Sequence, residues 1–321
     1  MPDMEKKYVL GVDIGGQTAK CGLVDENGKV LAQSVIPSNQ HTVAAGFVAA
    51  LATALKALVK EAGVEGQVRG IGVGAPDANY YTGIIEHAVN LTWAGVNPTP
   101  FAKMLTEQMD GMPVALTNDA NAAAMGEMMY GVAKGMKNFI MITLGTGVGS
   151  GIIIDGKVVY GHDGFAGELG HVIAVRDGRQ CGCGRKGCLE AYTSATGVAR
   201  TAREWLDTSD EPSLLRKLDK ITSKDVYDAA KEGDKLALRV FDFTGKLMGQ
   251  CFADFIAFSA PEAIVLFGGL TKAREFLEKP ILESMEENTL SMWKGKVKLL
   301  FSQLKESDAA ILGASALAWE F

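Results

Sequence analysis

The chain has 321 residues, more than a single hydrophobic core usually serves, so its length predicts two domains. Hydrophobic residues make up 47% of it and charged residues 22%, which is ordinary for a globular protein. The net charge of −6 argues against a nucleic-acid surface, because such a surface is normally basic.

The N-terminal stretch MPDMEKKYVLGVDIGG lacks the apolar core and cleavage site of a signal peptide. Further along, TVAAGFVAALATALKALVKEAG carries Lys56 and Lys60 among apolar residues at helical spacing. This pattern predicts an amphipathic helix rather than a membrane span. We therefore expect a cytoplasmic protein with no membrane partner, in which a disulfide framework is not expected.

Two segments of the chain resemble each other, GVDIGGQTAKCGLVDENGKVL from Gly11 and ITLGTGVGSGIIIDGKVVYG from Ile142. In each, an apolar strand leads through a glycine-rich turn into a second strand, and an Asn-Gly or Asp-Gly pair leads into a third. The repeat predicts two duplicated domains of an α/β protein, each opening with a β-hairpin.

Glycine-rich turns can direct backbone N–H groups into a concavity that suits phosphate oxygens, although a single such turn is often only a tight turn. Neither copy fits the GxxxxGK[ST] phosphate loop or a GxGxxG sequence that opens a helix. A third glycine pair, Gly268-Gly269, follows the buried-type strand at 263–267 and precedes a predicted helix. It fits either a ligand-binding turn or an ordinary strand-to-helix turn.

Between the repeats, MPVALTNDANAAAMGE predicts a short strand that leads into a helix. Asn118 or Asp119 would cap that helix. The same position is the carboxyl end of a strand, where α/β proteins collect ligand sites. A carboxylate there could accept the proton of a hydroxyl that attacks a phosphoryl group, so both roles stay open at this stage.

Three of the five cysteines fall within eight residues, in the spacing His171-x9-Cys181-x-Cys183-x4-Cys188. One imidazole and three thiolates form a tetrahedral zinc set, and four protein ligands indicate a structural rather than a catalytic ion. The alternatives are three free thiols or a redox site. The spacing is wrong for common DNA-reading fingers. We call residues 171–188 the cysteine loop.

Glu168 precedes this loop and Glu190 follows it. A zinc ion would hold both carboxylates and the second nitrogen of His171 around one point, where they could bind sugar hydroxyls. Taken singly, each glutamate could equally be a solvent-exposed side chain.

Together, DIGGQTAK, NDANAAAMGE, LGTGVGSGI, GELGH and CGCGRKGCLE resemble the ROK family of repressors, open reading frames and sugar kinases. The resemblance runs from about Tyr8 to the end of the chain. It implies an α/β, two-lobed actin-like ATPase (ribonuclease H-like) fold, with a duplicated β-hairpin-led domain and a zinc-braced loop. ATP and sugar would meet in its cleft. The lobes would be 1–118 with 308–321, and 119–307 with the cysteine loop. The C-terminal SDAAILGASALAWEF would be a helix that returns to the first lobe.

The resemblance also implies roles for particular residues. Asp119 would be the catalytic base, and the side chains that hold sugar hydroxyls would be Asn118, Glu168, His171 and Glu190. The nucleotide would bind to Asp13, Gly15, Gly16, Thr18 and Lys20, to Gly145, Thr146 and Gly147, and to Gly268 and Gly269. Mg²⁺ would accompany ATP, with Asp13 as the natural carboxylate to hold it.

One departure from the family pattern follows the strand GIGVG, where the run is GAPDANYYTG and Asp77 stands at a position often occupied by glycine. In relatives this loop and the stretch from Asn90 line the sugar side. Ala75, Asn79 and Asn90 are therefore expected to touch the substrate or to close over it.

The leading hypothesis is an ATP-dependent hexokinase that phosphorylates glucose at its 6-hydroxyl, with no nucleic-acid partner and, by resemblance, as a homodimer. Alternatives are a kinase for N-acetylmannosamine, N-acetylglucosamine, fructose or allose, a sugar-sensing regulator without catalysis, and a chaperone-like or filament-forming ATPase. The regulator is disfavoured because the first phosphate strand begins by Tyr8, which leaves no room for a preceding DNA-binding domain. The chaperone-like or filament-forming ATPase would explain the glycine turns but not the zinc set.

Overall fold

The computed structural model describes residues 6–86, 88, 90–95 and 98–321, with only the backbone of Glu306. The chain separates into two compact units. Unit 1 consists of Met1–Met136, Gly151–Gly167 and Gln303–Phe321, and unit 2 of Lys137–Ser150 and Glu168–Ser302. The lobe boundaries that the family resemblance implies stay a prediction. Among the described residues, no helix combines the length and apolar character that crossing a bilayer requires.

The strands are β1 (Tyr8–Ile14), β2 (Thr18–Asp25), β3 (Val30–Pro37), β4 (Val68–Gly74), β5 (Ala78–Asn79), β6 (Ile84–Ile85), β7 (Val114–Thr117), β8 (Phe139–Leu144), β9 (Val148–Ile154), β10 (Lys157–Val158), β11 (Ala263–Phe267) and β12 (Lys298–Phe301). The helices are α1 (Ala44–Glu61), α2 (Phe101–Gln108), α3 (Asp119–Tyr130), α4 (Glu190–Thr193), α5 (Ala195–Asp207), α6 (Ser223–Lys231), α7 (Lys235–Ser259), α8 (Arg274–Asn288) and α9 (Glu306–Leu317).

The two main sheets have the same order, and each contains the three hairpin strands that the sequence repeat predicts. The first has the order β3-β2-β1-β4-β7, in which β1 to β3 are antiparallel neighbours and β1, β4 and β7 are parallel. The second has the order β10-β9-β8-β11-β12, with β10 antiparallel to β9 and with β8, β11 and β12 parallel. Because parallel strands end at one edge, ligand-binding residues placed after them are brought together.

The core of unit 1 lies on both sides of its sheet. The apolar side chains of α1 recur at helical spacing, so that Phe47, Leu51 and Leu55 are fully buried. The C-terminal helix α9 packs on the strands of this unit at close range. A Cβ atom on Gly72 of β4 would lie 1.9 Å from the carbonyl oxygen of Ala314. Glycine at this strand position is therefore what lets α9 approach the sheet.

In unit 2, the long helix α7 runs against α8 and buries Phe241 and Phe252 completely. The ring of Phe241 stacks on Phe276 of α8 with centroids 5.7 Å apart. α8 also contacts the 3-10 helix Gly269–Ala273, which begins in the glycine turn after β11.

Candidate active site and metal cluster

Two aspartates lie together at the carboxyl ends of the parallel strands in unit 1. Asp13 is paired with Gly74 in the β1–β4 register, and Asp119 is the first residue of α3, directly after β7. A Cβ atom on Gly74 would lie 3.5 Å from the Cα of Asp119 and 3.9 Å from Oδ1 of Asp13. The end of β4 is therefore within van der Waals range of both residues.

The surroundings of these aspartates favour their protonated forms. Burial raises the pKa of Asp13 to about 6; the charge of Asp119 adds to the rise, and that of Lys20 opposes it. Asp119 reaches the surface of the described chain, yet desolvation by the surrounding protein raises the pKa of its carboxyl group; N–H groups at the start of α3 oppose the rise, and the charge of Asp77 adds to it. A carboxylate with a raised pKa is a stronger base than an ordinary aspartate, which is the property that proton abstraction requires.

The helix cap that the sequence left open is made mainly by Asn118. Its side-chain oxygen accepts a hydrogen bond from the N–H of Ala120 at 2.8 Å. Oδ1 of Asp119 accepts from the same N–H at 2.9 Å. Capping by Asn118 fixes the first turn of α3 and, with it, the position of Asp119.

The first glycine turn connects β1 to β2 and contacts the predicted sugar-side loop. The N–H of Gly15 donates to the carbonyl of Thr18 at 2.9 Å. A Cβ atom on Gly16 would lie 2.9 Å from the carbonyl oxygen of Asn90, so these two predicted residues are neighbours. The fully buried Ser38 donates to the carbonyl of Gly15 at 2.6 Å. Ser38 belongs to no motif, so the sequence did not indicate it.

Lys20 stands opposite Asp13 in the antiparallel register of β1 and β2. Cross-strand partners share a face of the sheet, so the ammonium group lies on the side of the strand-end aspartates. Thr18, the first residue of β2, is exposed. The turn therefore combines backbone N–H groups, one cation and one carboxylate, which suits a phosphate group with its counter-ion.

The loop after β4 is held by its own polar groups. Ala75 is fully buried and donates its N–H to Thr117 at 3.0 Å. The side chain of Asn79, 3% exposed, donates to the carbonyl of Asp163 at 2.7 Å and accepts from the N–H of Tyr81 at 3.0 Å. Both residues thus fix the shape of the loop, and their predicted contact with substrate stays a prediction.

Asp77 has a left-handed backbone conformation, with φ of 51°. Few residues other than glycine adopt this region without cost, although aspartate and asparagine tolerate it best. The conformation is one that suits the glycine which the family resemblance leads us to expect at this position. Asp77 retains the backbone shape and adds a carboxylate whose charge acts on Asp119.

The second glycine turn lies in unit 2 beside a cavity of about 430 Å³. Gly145, Thr146 and Gly269, all predicted to bind nucleotide, line this cavity. A Cβ atom on Gly145 or Gly269 would meet nothing within 4 Å, so it would point into open space. The remaining lining comes from Leu144, Ala195, Ser223, Lys224, Tyr227, Asp228, Leu270, Lys272 and Ala273.

Gly268 and Gly147 shape the turns rather than line the cavity. Gly268 has φ of 109°, and a Cβ atom there would lie 2.5 Å from the carbonyl oxygen of Leu144. A Cβ atom on Gly147 would lie 2.5 Å from Oε2 of Glu190. One wall of the cavity is α6, which the sequence did not indicate because its short polar pattern resembles that of any surface helix.

The predicted metal ligands form one cluster. The donor atoms of His171, Cys181, Cys183 and Cys188 all lie within 4.8 Å of one another. Sγ of Cys181 is 3.7 Å from Nδ1 of His171, and Sγ of Cys183 is 3.6 Å from Sγ of Cys188. Zinc–sulfur bonds of about 2.3 Å in a tetrahedron place ligand atoms roughly 3.8 Å apart, so the set fits zinc.

The protonation of the thiols also bears on whether the cluster binds a metal ion. Burial and then hydrogen bonds with the neighbouring thiols raise the pKa of Cys188 to about 12. Burial likewise raises the pKa of Cys181, whereas for Cys183 hydrogen bonds and the charge of Arg185 outweigh burial and lower the pKa, so the three thiols ionise alike only where a cation offsets their charge. All five cysteines lie in the described part of the chain, and none of them forms a disulfide bond. The donor chemistry favours a metal over free thiols or a redox site.

The two predicted sugar-binding carboxylates flank the cluster. Glu168 is exposed and precedes the short 3-10 helix Leu169–His171. Glu190 is half-buried at the start of α4, where Oε2 accepts from the N–H of Val148 at 2.9 Å. Nδ1 of His171 lies among the sulfur atoms, so Nε2 lies on the other side of the ring and would stay available for a further hydrogen bond.

Two sheets of matching order, each with a glycine turn after its first strand, and a His-Cys₃ cluster define the chain as an α/β protein with a duplicated sheet. The chain belongs to the ROK family, whose sequence model matches residues 9–320. The resemblance inferred from the motifs is thus confirmed. The α/β fold is also confirmed, since it matches solved ROK structures.

A glucokinase of Halalkalibacterium halodurans is 38% identical over 320 residues, covering 98% of this chain and 96% of that protein. An N-acetylmannosamine kinase of Salmonella newport is 31% identical over 96% of this chain and 97% of that protein. The crystal structure of a ROK family glucokinase from Streptomyces griseus, in complex with glucose and AMPPNP, has a TM-score of 0.78 and 32% identity. That comparison covers 98% of this chain and 100% of the other.

Proposed function

We propose that this protein, an ATP-dependent sugar kinase, transfers the terminal phosphoryl group of ATP to the 6-hydroxyl of glucose. The observation that carries this proposal is the position of Asp119. It begins α3 at the end of a parallel strand, beside Asp13, and its pKa is raised. The 38% identity to a glucokinase over nearly the whole chain supports glucose as the sugar.

In this proposal Asp119 accepts the proton of the sugar hydroxyl as its oxygen attacks the terminal phosphorus. The bond from that phosphorus to the bridging oxygen of ADP breaks as the new oxygen–phosphorus bond forms. Asn118, which caps α3, keeps the carboxylate in place. The raised pKa supports the base role because it brings the basicity of the carboxylate nearer to that of the reacting group.

The hydroxyl groups of the sugar would bind to Asn118, Glu168, His171 and Glu190. Carboxylate oxygens accept hydrogen bonds from hydroxyls, and Nε2 of His171 adds a polar contact on the side away from the sulfur atoms. Ala75, Asn79 and Asn90 would shape or close the sugar side. The firmly bonded loop around Asn79 and the contact of Asn90 with Gly16 support a role in shaping it.

ATP would bind through the glycine turns. Asp13, Gly15, Gly16, Thr18 and Lys20 would face phosphates at the first turn, and Gly145, Thr146 and Gly147 at the second. Gly268 and Gly269 would face the adenosine. The cavity of about 430 Å³ supports this assignment, because three of these residues line it and its size suits a small ligand.

Two metal ions belong to the proposal. His171, Cys181, Cys183 and Cys188 would hold a structural zinc ion, as their distances and chemistry allow. Asp13 would hold the Mg²⁺ that accompanies ATP, which neutralises charge on the phosphate oxygens. We further propose the two-lobed actin-like arrangement, a homodimer and a cytoplasmic location.

The second candidate is phosphorylation of another sugar, foremost N-acetylmannosamine. The Salmonella kinase for that sugar is 31% identical over 96% of this chain, which favours N-acetylmannosamine over N-acetylglucosamine, fructose or allose. An N-acetyl group at carbon 2 needs room that a hydroxyl does not, so the shape of the sugar-side loop would decide between the substrates.

The experiment is a coupled ADP-release assay over hexoses and N-acetylhexosamines. We expect the largest kcat/KM for glucose, and a higher value for N-acetylmannosamine would favour the second candidate. Asp119→Asn should lower kcat on the order of 10²- to 10⁴-fold while glucose still binds in calorimetry. Asp242→Asn, an exposed aspartate on α7, is the matched control and should behave as wild type. Full activity in Asp119→Asn would remove the base from this mechanism.

A further inference from the structure

Arg179 lies in the cysteine loop but contacts two helices that follow the loop. Its guanidinium donates to Oε2 of Glu204 on α5 through Nε at 2.9 Å and through Nη2 at 2.6 Å. Nη1 donates to Oγ1 of Thr201 at 2.9 Å and to the carbonyl of Ala191 on α4 at 3.1 Å. The plane of the group lies 4.4 Å over the ring of Tyr192. The side chain is only 9% exposed.

The backbone of the same residue completes the attachment. The N–H of Arg179 donates to the phenol oxygen of Tyr192 at 2.7 Å, and its carbonyl accepts from Gly187 at 2.8 Å. Gly178 makes this approach possible, because a Cβ atom there would lie 2.1 Å from the same phenol oxygen. The loop segments that contain Arg179 and Gly187 are therefore both connected to α4 and α5 through Arg179.

None of these contacts uses a metal-donor atom, so they can form whether or not a metal is bound. Arg179 is two residues before Cys181, and its acceptor Ala191 directly follows Glu190. Buried contacts in which two N–H groups of one guanidinium reach the same carboxylate require a specific geometry. Lysine cannot replace arginine in such a contact. Arg179 thus fixes the position of the cysteine loop relative to α4, the helix that begins with Glu190.

We propose that Arg179 is a positioning residue that docks the cysteine loop on α4 and α5 before the metal binds, so that the metal enters a preformed site. A site that is already ordered loses less conformational entropy on binding, which raises affinity. The same docking fixes Glu190 relative to the cluster. The test has two arms, a hydrogen-exchange arm and a metal arm that measures zinc release. Only the metal arm rests on the proposed zinc site.

The exchange arm measures amide hydrogen exchange over residues 173–192 in chelator-treated protein. We expect the wild type to keep protection there and Arg179→Met to exchange roughly tenfold faster. Arg176→Met is the matched control, because Arg176 is an exposed arginine of the same loop with no hydrogen bond or ion pair found to the described residues. It should exchange like the wild type.

The metal arm measures zinc release to a chromogenic chelator and the visible spectrum of the cobalt-substituted protein. Arg179→Met should release zinc roughly tenfold faster and weaken the tetrahedral cobalt bands. Arg179→Lys keeps the positive charge but lacks the forked N–H donors of arginine. It should therefore keep only part of the wild-type protection from exchange and of the wild-type resistance to zinc release. Glu204→Gln should give intermediate values, and it serves in place of Arg179→Met if that variant does not fold.

Equal exchange and equal release in Arg179→Met and Arg176→Met would overturn the proposal. So would a wild-type loop that loses all protection once the metal is removed. Kinase activity enters neither arm, so a failure here is distinguishable from a failure of the proposed substrate or base.

Discussion

The carboxylate of Glu190 accepts a hydrogen bond from the backbone N–H of Val148, with its Oε2 at 2.9 Å from the nitrogen. Val148 directly follows the second glycine turn. The other carboxylate oxygen of Glu190 lies 3.6 Å from Sγ of Cys181. One side chain therefore connects the turn proposed to bind phosphate with the proposed metal cluster.

This connection predicts different effects for two substitutions at Glu190. Glu190→Gln keeps an oxygen that can accept from Val148, so the free energy of unfolding should change little. Glu190→Ala leaves the N–H of the buried Val148 without its acceptor and should cost about 1–3 kcal/mol. Both should raise the KM for glucose, because each removes the charged acceptor of a hydroxyl. Urea unfolding and steady-state kinetics measure the two effects, and equal stability of the two variants would contradict the role of the hydrogen bond.

A side chain introduced at Gly269 should impair ATP binding, whereas one introduced at the adjacent Gly268 should impair stability. A valine at Gly269 would point into the cavity and should raise the KM for ATP roughly tenfold, with little change in stability. A valine at Gly268 would have φ of 109° and would meet the carbonyl of Leu144, so it should lower the free energy of unfolding by about 3 kcal/mol. ATP titrations and thermal unfolding separate the outcomes. A Gly269→Val enzyme with unchanged KM would place the nucleotide elsewhere.

The charge of Asp77 should affect the pH dependence of catalysis. Asp119 must be ionised to accept a proton, so activity rises as the pH increases through its raised pKa. Asp77→Asn removes a negative charge and lowers that pKa, so the acid limb of kcat/KM should move to lower pH. Asparagine tolerates the left-handed backbone, which keeps the loop unchanged.

Asp110→Asn is a matched control for this experiment. Asp110 also has a left-handed conformation, with φ of 57°, but it is exposed and pairs with Lys56. Its substitution should leave the acid limb in place. An Asp77→Asn profile that coincides with the wild type would show that the exposed carboxylate of Asp77 is fully screened by solvent.

Removal of the metal should destabilise the protein. We expect about one zinc ion per chain, released by a chelator with a fall in melting temperature, because binding free energy of a structural ion contributes to folding. Cys183→Ser should lower the zinc content, whereas Cys251→Ser, a buried cysteine outside the cluster, should not. Metal analysis and thermal unfolding measure both, and full zinc content in Cys183→Ser would exclude this donor set.

The sequence by itself determined the features that local patterns encode. The repeated apolar strands, the glycine-rich turns and the Asn-Gly and Asp-Gly pairs predicted the two hairpins, which the structure has as β1 to β3 and β8 to β10. The spacing of His171 and the three cysteines predicted the donor set, and the structure brings all four together. These predictions succeed because hairpin geometry and ligand geometry depend on residues that are close in sequence.

Only the tertiary structure decided which distant residues meet. Ser38 bonds to Gly15, α6 forms a wall of the cavity beside Gly145, and Arg179 reaches Glu204 on another helix. The pKa of Asp119 likewise depends on desolvation by the surrounding protein and on Asp77, which is 42 positions away in the chain. A polar residue on a helix has the same local pattern whether it faces water or a cavity. Its role is therefore fixed by packing between elements, and no local period in the sequence encodes that packing.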